Sequence, residues 1–328
     1  MKQFDRYLIT YNQLDALRAD GRGKGIFLEI LYFLGVMVLA TVFQLLFQII
    51  LSAVGLFVAG FNAAASGTNV TDPNAIISAL PNWFYVVLGL FSTLGMILGT
   101  WLILRFAFKR KLSTAGFTKP FWSEYGMGLM VGFGMFAVAY LITVVTGTVK
   151  IEGLSPTFVL GPWLLIFAGF LIQGMSEEFL CRGYFMLSIA RKNSVAAGVI
   201  LNSLVFSALH LLNSGISVLA IVNLFLFGIF ASLYYLWRGN IWGVAAVHSM
   251  WNFTQGNVFG ILVSGGDFGT SLLTSTVSNS GTLLNGGAFG LEGGLAVTIV
   301  LAAGIVFVAL ANVKRIANTP MPLSEMKV

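Results

Sequence analysis

Charge is what this sequence most lacks. Asp, Glu, Lys and Arg make up 9% of its 328 residues and 57% are hydrophobic, against roughly 25% charged in soluble domains. The mean hydropathy is +0.90. So little polar surface cannot clothe a water-soluble fold, which excludes a soluble globular enzyme and a disordered chain. A single cysteine, Cys181, excludes an intrachain disulfide framework and a multi-cysteine metal site. Proline is scarce at seven, whereas glycine reaches 38, a balance that fits membrane helices. The net charge of +6 does not argue for a nucleic-acid partner, because the basic residues mark loops. The composition defines an integral membrane protein.

A membrane-spanning helix needs roughly 20 mostly apolar residues. Such runs fall at 26–59, 83–106, 125–149, 161–189, 195–212, 216–237, 241–260 and 293–310. The sequence therefore predicts an all-α polytopic membrane protein with about eight transmembrane helices. Of the 18 Lys and Arg, Lys150 alone falls in a loop on one side and Arg182 falls within a span. The rest lie before the first span, in the alternate loops (counting Arg105 at the end of the second run) or in the C-terminal tail. Basic residues stay cytoplasmic, so this split places both termini in the cytoplasm of a multi-pass plasma membrane protein.

The first 25 residues lack an apolar h-region, so no cleavable signal peptide is expected. Phe4, Tyr7, Leu8, Tyr11, Leu14 and Leu17 recur at helical steps between charges. That stripe suits an amphipathic helix on the membrane surface or one packed on the bundle. The expected organisation is a cytoplasmic segment at 1–25, three spans within 26–160, a polar-bearing core at 161–260, a mobile Gly/Ser/Thr-rich outer loop at 261–292, and the last span and tail at 293–328. No internal repeat is visible, which argues against an inverted-repeat transporter.

Ionisable side chains deep in a bilayer cost several kcal/mol and need partners or a wet cavity. Here they concentrate. Glu177, Glu178 and Arg182 lie in the fourth run, His210 in the fifth, and His248 with Asn252 in the seventh; these are the only two histidines. At 1.5 Å per residue their depths overlap, so one buried site can hold them all. Glu178 and Arg182 are four apart and can pair. Glu177 is turned about 100° away and lacks that partner, which suits a general base. Asn202, Phe206 and His210 form a stripe at four-residue steps. His248 and Asn252, also four apart, can direct two hydrogen-bonding groups at one point. Taken singly, each histidine reads as a helix-bridging hydrogen bond, and Asn202, Asn223, Phe206 and Cys181 read as packing.

Glu177-Glu178-x-x-x-Arg182, Phe206-x-x-x-His210 and His248-x-x-x-Asn252 together resemble the three motifs of the CPBP family. These are the type II CAAX prenyl endopeptidases and bacteriocin-processing relatives, also called the Abi family. The resemblance implies an intramembrane endopeptidase, a hydrolase cutting a hydrophobic or lipidated peptide or protein. It implies that Glu177 and His210 activate the hydrolytic water, that His248 and Asn252 polarise the scissile carbonyl and hold the oxyanion, and that Glu178 and Arg182 form a structural pair. No cofactor is favoured. A divalent metal such as zinc would fall to Glu177, His210 and His248, but the chain lacks a His-Glu-x-x-His signature.

The competing reading is a non-catalytic membrane regulator or bacteriocin-immunity protein that binds a membrane partner. A proton-coupled transporter is a third. In every case membrane lipids are partners and nucleic acid is not.

Overall fold

Each of the eight apolar runs forms a helix in the computed structural model, which describes residues 24–65 and 80–317. They are α1 (Ile26–Ala65), α2 (Asn82–Leu102, prolonged by a π turn, Ile103–Ala107), α3 (Trp122–Val145), α4 (Leu160–Lys192), α5 (Val195–Ala208), α6 (Val218–Arg238), α7 (Ile241–Phe253, prolonged by the π segment Thr254–Val258) and α8 (Leu295–Ala317). The N-terminal stripe falls on residues outside the described ones.

Local chemistry sets several boundaries. Ser194, Ser217 and Asn240 are N-caps whose side chains accept from the backbone N–H three residues on, satisfying donors that the first turn leaves free. Gly239 ends α6 in the left-handed region, at φ 71°. Asn240 starts α7 immediately after it, so two residues turn the chain between antiparallel helices.

The all-α polytopic architecture stands. Among the described residues six helices, α1 to α4, α6 and α8, are long and apolar enough to cross a membrane, short of the expected eight. Helix α5 has 14 residues, about 21 Å of rise against a hydrocarbon core of about 30 Å. Helix α7 has 13 residues before its π segment, and nearly all of them are buried by protein. It packs between α3 and α4, while α6 lies between α5 and α8. A Cβ at Gly132 of α3 would collide with the Val247 carbonyl of α7, so glycine lets these backbones approach. Helix α1 is the opposite case. Its Phe27, Ile49 and Phe57 are exposed on an apolar flank, as a lipid-facing helix requires.

Ion pairs mark one end of the bundle. Glu29 at the start of α1 meets Arg191 at the end of α4 at 3.3 Å. Arg110, beyond α2, donates to Ser188 at 2.9 Å. Glu124 at the start of α3 holds Arg238 at the end of α6 through two hydrogen bonds. At the other end, β1 (Val149–Leu154) pairs antiparallel with β2 (Leu273–Val277). These are the two strands among the described residues, and they join the α3–α4 connection to the long segment before α8.

That segment, 261–292, packs onto the bundle. It contributes β2 and short helical turns, and it buries Ile261, Val263, Phe289 and Leu291. Its anchors are polar as well as apolar. Glu292 accepts from Trp251 Nε1 at 3.1 Å and from the backbone N and Oγ of Ser264, both at 2.8 Å.

Candidate active site

Glu177 and Glu178 close the α-helical part of α4, and the chain then runs as a π-helix from Phe179 to Met186. Such π segments inside α-helices are frequent at functional sites. Glu178 and Arg182 nevertheless pair as their spacing predicts, Arg182 Nη1 donating to Glu178 Oε1 at 2.7 Å, with both side chains wholly buried.

Two buried charges need more than each other, and Arg182 has more. Its Nη2 donates to the Gly228 carbonyl at 3.2 Å, and its guanidinium lies over the Phe206 ring at 4.6 Å. Asn202 completes the cradle. With its amide turned to satisfy both ends, its oxygen accepts from Arg182 Nε at 3.3 Å and its nitrogen donates to the Cys181 carbonyl at 3.0 Å. Asn202 therefore does more than pack helices, and Phe206 is both cavity wall and cation–π partner.

Glu178 also reaches α7, which its spacing gave no reason to expect. Its Oε1 lies 2.8 Å from His248 Nδ1. A carboxylate can only accept, so Nδ1 carries the hydrogen and Nε2 faces the other way, 3.8 Å from Glu177 Oε2. His210 follows the same rule. Its Nδ1 lies 2.8 Å from the Phe206 carbonyl, so Nδ1 donates and Nε2 is left as an acceptor. The sequence had placed His210 inside a span, whereas α5 ends at Ala208 and His210 sits on the following turn.

Glu177, His210, His248 and Asn252 line one cavity of about 450 Å³. Its remaining walls come from aromatic side chains such as Phe170, Phe206 and Phe227, and from Ser264, Gly265 and Glu292 of the long segment. Asn252 Nδ2 donates to Gln173 Oε1 at 3.3 Å, and Gln173 Nε2 donates to Glu177 Oε1 at 2.5 Å. Sequence reasoning passed over Gln173 and Glu292. The signal for Gln173 was present, an amide one turn before Glu177 in an otherwise apolar run. For Glu292 there was none, since its partners are distant in the chain.

Among the described residues no group of three or more His, Cys, Asp or Glu is placed to hold a metal ion. Glu177, His210 and His248 all line the same cavity, and each histidine bonds a protein acceptor through Nδ1, which turns its Nε2 away from that bond.

A carboxylate, two imidazoles held through Nδ1 and an amide thus face one cavity inside the helical bundle. Residues 156–254 match the family model described as Type II CAAX prenyl endopeptidase Rce1-like. The matched stretch contains all three motifs, and it identifies the chain as similar to the CPBP proteases that those motifs resemble. No curated protein and no solved structure matches the chain.

Proposed function

We propose that this protein is an intramembrane endopeptidase that cleaves a hydrophobic or lipidated peptide or protein with water activated by Glu177. The observation that carries the reading is the convergence of Glu177, His210, His248 and Asn252 on one cavity, backed by the buried Glu178–Arg182 pair. The match to a CAAX prenyl endopeptidase family over 156–254 supports the same chemistry.

In this mechanism a water in the cavity gives one proton to Glu177 and directs its other hydrogen to His210 Nε2, the acceptor left free by the Phe206 carbonyl. The water oxygen attacks the scissile carbonyl carbon. Asn252 Nδ2 and a doubly protonated His248, through Nε2, hold the oxyanion that forms. The imidazolium balances the Glu177 charge as Arg182 balances that of Glu178. Collapse of the intermediate breaks the C–N bond, and Glu177 returns its proton to the leaving amine. A positioned base contributes about 10² to 10⁴ in rate, and oxyanion donors in a water-poor site about 10² to 10³ each. The aromatic walls suit an apolar substrate arriving from the bilayer.

We place both termini in the cytoplasm of a cell-membrane protein, on the strength of the basic-residue split. The end of the bundle marked by Arg110, Arg191 and Arg238 is then cytoplasmic, and the β1–β2 end is outside.

The deciding experiment compares membrane proteins and released peptides by mass spectrometry in cells expressing wild type or Glu177→Gln at equal levels. Loss of specific new termini in the variant establishes the peptidase and identifies its substrate. Identical profiles, with any wild-type phenotype intact, overturn it in favour of a membrane-binding regulator.

A further inference from the structure

Helix α4 carries one more polar side chain on the face that presents Glu177. Gln173 precedes it by four residues, so the two project to the same side. An amide in a membrane helix is costly without partners, and Gln173 has two that lie on different helices. Its Nε2 donates to Glu177 Oε1 on α4, and its Oε1 accepts from Asn252 Nδ2 on α7. We propose that Gln173 is the positioning residue that holds the base on α4 and the carbonyl-binding amide on α7 in one fixed relation. The inference rests on the proteolytic reading of the cavity.

The direction of this hydrogen-bond chain is forced. An ionised carboxylate only accepts, so Gln173 must turn its NH₂ toward Glu177. Its carbonyl oxygen then faces Asn252, which must answer with its own NH₂. Asn252 spends one N–H on Gln173 and keeps the second, on the same nitrogen, for a substrate oxygen. An Asn252 turned the other way would present its oxygen to the developing oxyanion and would also lose its bond to Gln173. Gln173 therefore selects both the rotamer of the base and the sense of the donor amide. No simple replacement does both. Asn lacks the reach, Glu lacks the N–H, and Met lacks both polar ends.

The test uses the full chain in lipid nanodiscs as wild type, Gln173→Glu and Gln173→Met. A farnesylated peptide ending in a CAAX sequence, carrying a quenched fluorophore, is the probe. In both variants kcat should fall about 100-fold, the scale of a reacting group misplaced by about 1 Å, while KM changes by less than about twofold, because the substrate's apolar contacts are untouched. A folded variant with unchanged kcat overturns the proposal, as does a change confined to KM.

A second arm needs no substrate. A carboxyl oxygen adds to the central carbon of dicyclohexylcarbodiimide, its proton passing to nitrogen to give an O-acylisourea, and Gln173 occupies one oxygen of Glu177. Modification of Glu177, mapped by mass spectrometry with Glu177→Gln as control, should run several-fold faster in Gln173→Met. Equal rates in folded protein overturn the role of Gln173. If wild type leaves the peptide uncut, the prenyl-peptidase reading fails while the labelling rates still decide Gln173.

Discussion

His248 Nδ1 stands 2.8 Å from Glu178 Oε1, across the contact between α7 and α4. Since the same oxygen receives Arg182 at 2.7 Å, one carboxylate both neutralises a buried cation and fixes a histidine that faces the cavity. The two roles should separate under mutation. Glu178→Leu strands the Arg182 charge and should cost about 3–5 kcal/mol, read as a lower melting temperature in nanodiscs. Adding Arg182→Met should restore most of that stability, because a buried pair replaced by apolar groups is often neutral. Cleavage should stay about 10- to 100-fold down in the double variant, the usual cost of losing a carboxylate that orients a working histidine. Full recovery of cleavage would show that Glu178 serves Arg182 alone.

His210 tests the water-binding role with little structural penalty. It is half-exposed on a turn, and its described hydrogen bond goes to the Phe206 carbonyl. His210→Ala should leave thermal stability within about 0.5 kcal/mol and lower kcat by about 10² to 10⁴. A drop in stability that matches the drop in activity would make the residue a structural bridge.

How far the sequence was legible follows the range of the interactions. The apolar runs became helices with ends displaced by a few residues, because hydrophobicity and capping act locally. The Glu178–Arg182 pair was readable because it lies within one helical turn. The contacts of Glu178 with His248 and of Glu292 with Trp251 were not, since residues 70 and 41 positions apart meet only when helices pack. Helix α7 reads as a span from its apolar run, and the packing that buries nearly all of its residues in protein is not visible in that run. In the 261–292 segment Gly, Ser and Thr supply turns and hydrogen bonds around Glu292, which composition alone does not reveal.

Glu292 should accordingly behave as the fastening of that segment. Glu292→Ala leaves Trp251 Nε1 and the Ser264 N–H and hydroxyl without their acceptor. Stranding the buried Trp251 donor costs about 1–3 kcal/mol, and the part-buried Ser264 donors cost less because water can reach them. Hydrogen exchange should accelerate across 261–272 while the ends of α4 and α6 near Arg191 and Arg238 keep wild-type protection. Uniform acceleration across all helices would mean that Glu292 supports the whole bundle instead.

Orientation can be read directly, because Cys181 is the sole cysteine and is buried, so the wild-type chain provides a silent background for thiol labelling. Lys150 on β1 and Lys111 before α3 are exposed at opposite ends of the bundle. In intact cells a membrane-impermeant maleimide should label Lys150→Cys, and it should reach Lys111→Cys only after permeabilisation. The reverse pattern would invert the protein in the membrane and put the β1–β2 end in the cytoplasm. That outcome would also contradict the basic-residue rule, since the end carrying Arg110, Arg191 and Arg238 would then face outward. The internal pairing of Arg191 with Glu29 and of Arg238 with Glu124 makes the test worth doing. Neutralised arginines exert less pull on topology, so the lysines of the same end should carry more of the bias.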